Sequence, residues 1–163
     1  MKANHLQHAI KFGLILGVLR LVIDIVSKEL NVTAMQYSLT PYLSLLLEII
    51  LIVFAIFIFK LKVNGNTLSI KEAVKIGFIM MIITGTFFFV TYNFYKPEFA
   101  QEAYLELTKL REPEKLNEAI SNVKNANLNP NYTMGFATNM LKFMFIGLII
   151  SAISGVILYK KNN

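Results

Sequence analysis

Three ionisable residues stand where hydrocarbon would surround them. Arg20 and Asp24 interrupt the first long apolar run of the chain, and Glu48 interrupts the second. Such a set can serve as a path for protons, ions or a charged substrate, or it can lock helices in register as a buried ion pair. Arg20 lies seven residues before the run's end near Ser27, and Glu48 lies seven after Pro41. At 1.5 Å per residue both fall about 10 Å below one boundary, so antiparallel neighbours would bring them together. Asp24 is one turn from Arg20, and a three-membered cluster Asp24–Arg20–Glu48 is expected. Because the guanidinium has a matched acid at its depth, the structural lock is the favoured reading.

Other candidates are thinner. His5 and His8 lie one turn apart, but with no cysteine in the chain and no acid pair nearby they read as surface histidines and not as a metal site. No cofactor is implied. GxSxG, Walker-type and HExxH motifs are absent, and no nucleophile, base and metal set suggests an enzyme. Asn31-Val32-Thr33 and Asn131-Tyr132-Thr133 fit the glycosylation pattern, which is short enough to arise by chance.

The elements that position these residues are membrane helices. The 163 residues are 55% hydrophobic, and four apolar runs are long enough to cross a bilayer, at about 10–26, 43–59, 76–95 and 140–159. The expected fold is an all-α membrane protein: one integral membrane domain over 1–163, with four transmembrane helices in an up-down bundle. The first run is marginal alone. Its twelve Leu, Ile, Val and Phe residues return about 4–7 kcal/mol, against about 5–7 kcal/mol for two central charges. It needs partners, and its charges, with no A-x-A-like site after them, argue against a cleaved signal peptide.

Small residues indicate where those partners press. Gly13 and Gly17 form a GxxxG on the face that carries Arg20 and Asp24, and Gly147, Ser151 and Gly155 repeat every fourth position in the last run. Gly17 and Ser151 fall at similar depth, so the first and fourth helices are expected to pack on each other. That would place the first helix at the centre of the bundle. Lys142 is read as a snorkelling residue near the end of the fourth helix.

Local punctuation is clearest between the second and third runs. Asn64-Gly65 is a turn dipeptide, and Ser69-Ile70-Lys71-Glu72 reads as a capping box. Thr40-Pro41 reads as an N-cap with proline at the first helical position. Residues 96–139 form an outer loop, where Pro97–Arg111 and Pro113–Lys124 have the spacing of two amphipathic helices and 125–131 reads as a turn.

Charge sets the orientation. Lys2, Lys11, Lys60, Lys62, Lys71, Lys75, Lys160 and Lys161 flank one side with a single acid, Glu72. This excess predicts an inner (cytoplasmic) membrane protein with both termini cytoplasmic. Tyr37, Tyr42, Tyr92, Tyr95 and Tyr132 gather at the opposite boundary, as an aromatic belt does. The net charge of +6 has no groove-reading or base-stacking motif behind it, so no nucleic-acid partner is implied. The partners implied are the lipid bilayer and either a second copy or another membrane protein.

The whole layout resembles a family of small four-helix membrane proteins typical of Bacteroidetes, known as domain of unknown function 4199. The resemblance rests on the glycine-bearing first helix, the segment Ser69-Ile70-Lys71-Glu72-Ala73-Val74-Lys75-Ile76-Gly77, and Tyr92-Asn93-Phe94-Tyr95. It extends to the Lys/Glu-rich outer loop and the glycine–serine last helix ending in lysines. Val74 departs from the aromatic common there. The resemblance implies four membrane helices and no assigned activity or site residues. The expected function is therefore a structural or accessory membrane protein, the alternative being a small transporter or ion pathway using Arg20, Asp24 and Glu48.

Overall fold

The computed structural model describes residues 5–30, 32–91, 93, 97–128 and 132–159, and no β-strand occurs among them. Its helices are α1 (His5–Glu29), α2 (Ala34–Tyr37), α3 (Thr40–Ile58), α4 (Ile70–Val90), α5 (Pro97–Arg111), α6 (Leu116–Leu128) and α7 (Tyr132–Leu158). A π-helical turn, Phe59–Val63, prolongs α3, and a 3-10 turn, Pro113–Lys115, precedes α6.

Three stretches are long and apolar enough to cross a membrane: Ala34–Val63, Ile70–Val90 and Tyr132–Leu158. Helix α1 is 25 residues long but carries Lys11, Arg20 and Asp24 within its apolar stretch. Length and composition thus single out three spans rather than the four expected.

The four long helices pack along one another, and α4 has the most extensive contacts, with α1 on one side and α7 on the other. Gly13 and Gly17 of α1 lie against α4, where an added Cβ at Gly17 would come within 2.6 Å of the Phe87 ring. Gly147 of α7 faces α4 as well, its would-be Cβ 2.9 Å from the Gly77 carbonyl oxygen, and Gly155 meets Ala73 and Ile70. The expected packing of the first helix on the last is therefore replaced. Both small-residue stripes seat α4, which occupies the centre assigned to α1. Spacing shows the stripes but not their target, because α4's half of the α7 contact is Gly77, a glycine with no small residue three or four positions before it except Ala73.

Contact pairs fix the helix directions. His8–Ala55 and Arg20–Glu48 make α1 and α3 antiparallel, and Gly77–Gly147 with Gly155–Ala73 do the same for α4 and α7. Helix α1 runs parallel to α4, since Gly13 meets Met80 and Gly17 meets Phe87. The apolar core, with Leu16, Ile52, Ile56, Phe59, Ile76, Met80 and Met81, fills the end of the bundle near the π turn.

The connections follow local chemistry. Ser69 and Glu72 close the capping box expected of them, and Asn64 Nδ2 donates to the Glu72 carboxylate at 3.3 Å. Gly65 and Asn66 take positive φ angles of 59° and 64°, which the Asn-Gly turn accommodates. Thr40 is not the N-cap of α3: it is the first helical residue, after Leu39, with Pro41 at the start. The side-chain cap sits earlier, where Thr33 and Gln36 form a capping box on α2. The outer loop is a helical pair, α5 and α6, tied by Gln101 and Asn127 through reciprocal amide hydrogen bonds of 2.8 and 3.1 Å. Helix α6 continues to Leu128, so 125–128 is helix rather than turn, and α7 begins at Tyr132, inside the expected loop. The asparagines of both glycosylation patterns, Tyr92, Tyr95, Lys2, Lys160 and Lys161 lie outside the described residues.

Candidate functional site: the Arg20 layer

Arg20 gathers one contact from each of the other three long helices. From α3, Glu48 accepts a hydrogen bond from Nη1 and forms an ion pair with the guanidinium. From α4, the Phe88 ring centroid lies 4.7 Å from Cζ, and from α7 the Phe143 centroid lies 4.9 Å away. The two rings are themselves 5.4 Å apart and tilted by 50°. A cation over aromatic faces gains about 2 kcal/mol or more when desolvated, and this one has both faces and an acid. Glu48 is 2% exposed.

Asp24 lies one turn farther along α1 and is 5% exposed. The contacts that define the guanidinium's surroundings are those with Glu48, Phe88 and Phe143. The aromatic pair was not legible in the sequence. Phe87, Phe88 and Phe89 form an unbroken apolar run, and periodicity cannot say which ring faces a charge.

Three hydroxyls around this layer are satisfied within their own helices, whereas two single atoms, Arg20 Nε and Asp24 Oδ2, are buried without a hydrogen bond among the described residues. Ser27 donates to the Ile23 carbonyl at 2.8 Å, Thr84 to Met80 at 2.9 Å and Thr91 to Phe87 at 2.8 Å. Such back-bonds let hydroxyls sit in apolar packing without partners on another helix. Ser151 likewise donates to the Gly147 carbonyl in the seam against α4.

His8, read from sequence as a surface residue, is half-buried. Its Nε2 lies 2.8 Å from the Ala55 carbonyl oxygen of α3, and its ring packs on Phe12 and Phe59 at 4.7 and 5.4 Å. No group of three or more His, Cys, Asp or Glu residues able to hold a metal occurs among the described residues.

These observations define a class: a chain helical over most of its described residues, with three helices fit to cross a membrane and a largely enclosed cation where four long helices meet. The family follows from the sequence itself. The profile of DUF4199, a protein family of unknown function, matches residues 11–160, and the chain belongs to that family. No curated protein and no solved structure matches the chain.

Proposed function

We propose that this protein is a four-span integral membrane protein with a structural or accessory role, held together by Arg20 rather than conducting through it. The observation that carries this reading is the guanidinium's enclosure by Glu48, Phe88 and Phe143. A conduction site needs a charge that can exchange partners, and this one is held from three helices. On the π-turn side of the layer Leu16, Ile52, Ile56, Phe59, Ile76, Met80 and Met81 pack into an apolar cluster with no ionisable member, which also argues against a path.

The fourth span is α1. Its charges make it look unfit by composition, yet Asp24 is buried and Arg20 is turned toward the other helices. Between Lys11 and Lys28, what α1 offers outward is Leu14, Ile15, Val18, Leu19, Val22 and Val26, all exposed and all apolar. Exposed Lys62, Lys71 and Lys75 at the α3–α4 corner support a cytoplasmic location for that corner and for both termini, in an inner membrane.

Proteoliposome flux tests the role. Wild-type protein is expected to leave proton and cation leakage at the level of empty vesicles. Flux that Glu48→Gln abolishes would overturn the accessory reading and establish a pathway.

A further inference from the structure

Helix α7 carries a single charge, Lys142, and no acid. The residue is exposed, and its neighbours on the same surface, Leu141 and Phe145, are 65% and 66% exposed. Among the described residues no acid lies within ion-pair distance of it. Its position in the fourth apolar run predicts a place near the helix end, where a lysine reaches water. The structure places it ten residues after Tyr132 and sixteen before Leu158, about 15 and 24 Å from the two helix ends at 1.5 Å per residue.

A second measure of depth agrees. Lys142 adjoins Phe143, which stacks on Arg20, so the two cations share a level of the bundle. Along α1 that level lies nine residues from Lys11 and eight from Lys28, about 13 and 12 Å from the charges that flank the apolar stretch. A four-carbon stem covers only part of such a distance. An ammonium group at this depth, facing outward, calls for an anion at the same depth.

We propose that the α7 face around Lys142 is a docking surface for a transmembrane helix of a different membrane protein, one that carries Asp or Glu within its apolar stretch. Charge complementarity selects that occupant. A second copy of this chain does not supply the acid: Asp24 and Glu48, the acids in the middle of its spans, are 5% and 2% exposed, and Glu29 and Glu72 lie at helix ends. The apolar rim of Leu141, Phe145, Ile149 and Ile153, all exposed, continues along the same helix and would pack on the partner's aliphatic side chains. This docking surface rests on the accessory reading above and gives it a partner chemistry.

The test uses purified full-length protein in liposomes with a labelled poly-leucine transmembrane peptide bearing one central Glu, and the same peptide with Leu there. Energy transfer should report at least tenfold tighter association of the Glu peptide. Lys142→Leu should reduce that association to the level of the Leu peptide, and Lys142→Arg should keep most of it. Circular dichroism and melting of Lys142→Leu should match wild type, which keeps loss of binding distinct from loss of fold. Equal association of the two peptides, or association unchanged in Lys142→Leu, would overturn the proposal. So would Lys142-dependent retention of phosphatidylglycerol without any preference for the Glu peptide, which would assign the lysine to a lipid phosphate. In any of those cases, vesicles that remain tight leave the accessory reading standing. Glu48-dependent flux would remove that reading whatever the peptides do.

Discussion

Arg20 and Lys142 are two cations at one level of the bundle, and the protein treats them in opposite ways. Arg20 points inward to a carboxylate and two aromatic faces, whereas Lys142 points outward among exposed leucine and phenylalanine. Sequence hydropathy prices both alike. What separates them is the face of the helix on which each sits. An inward cation organises the fold that surrounds it, and an outward one leaves its requirement to whatever lies beside the protein. Intramembrane charge is thus a single physical problem with an internal and an external solution.

The contrast is broken most severely at Arg20. Arg20→Leu leaves Glu48 buried without its counter-charge and should cost about 3–5 kcal/mol, read as a large fall in melting temperature in detergent. Arg20→Leu combined with Glu48→Leu should recover most of that loss, because removing both charges of a buried pair is often close to neutral. If the single variant melts like the exposed control Lys109→Gln, the layer does not hold the bundle.

Crowding the central helix comes next. Gly77 admits no side chain without displacing Ser151 or the Gly147 carbonyl. Gly77→Val should therefore cost about 1–3 kcal/mol and loosen the α4–α7 seam, measurable as faster hydrogen exchange along both helices. Stability equal to wild type would mean that the seam is slack.

His8 gives a smaller effect. Losing its hydrogen bond to the Ala55 carbonyl in His8→Ala should cost about 1 kcal/mol, read as a lower melting temperature in detergent. A variant that melts like wild type would exclude this role.

Lys142→Leu sits at the bottom of the scale. It should shift stability by no more than about 0.5 kcal/mol, since the protein itself gives the residue no ion-pair partner among the described residues. The wide gap between this variant and Arg20→Leu is the sharpest form of the comparison. A large destabilisation would show that Lys142 has an internal role after all.

What could be read in the chain was mostly local. The Asn64-Gly65 turn and the Ser69–Glu72 capping box depend on neighbours three or four residues apart, and they form as expected. The long apolar runs are likewise local averages, and three of them are helices fit to span. Helix α1 is the run that this average sets apart, because Lys11, Arg20 and Asp24 lie within its apolar stretch. The seating of both glycine stripes on α4, the aromatic walls of the Arg20 layer and the burial of His8 all depend on which helices meet. The relevant partners are 47 residues apart for His8 and Ala55, and no short window of sequence contains both.

The enclosure of Arg20 also orders events in time. Its charge is near the start of the chain, while its fourth-helix wall, Phe143, lies 123 residues later. As the ribosome delivers the helices in sequence, α1 is made first and meets Glu48 when α3 follows. It gains Phe88 with α4, and the enclosure is complete only when α7 arrives. Until then the first helix holds its place on a partial set of contacts, and a chain interrupted before α7 leaves one face of the guanidinium open. The residue that ties the helices together in space therefore also marks, during synthesis, whether the bundle is finished.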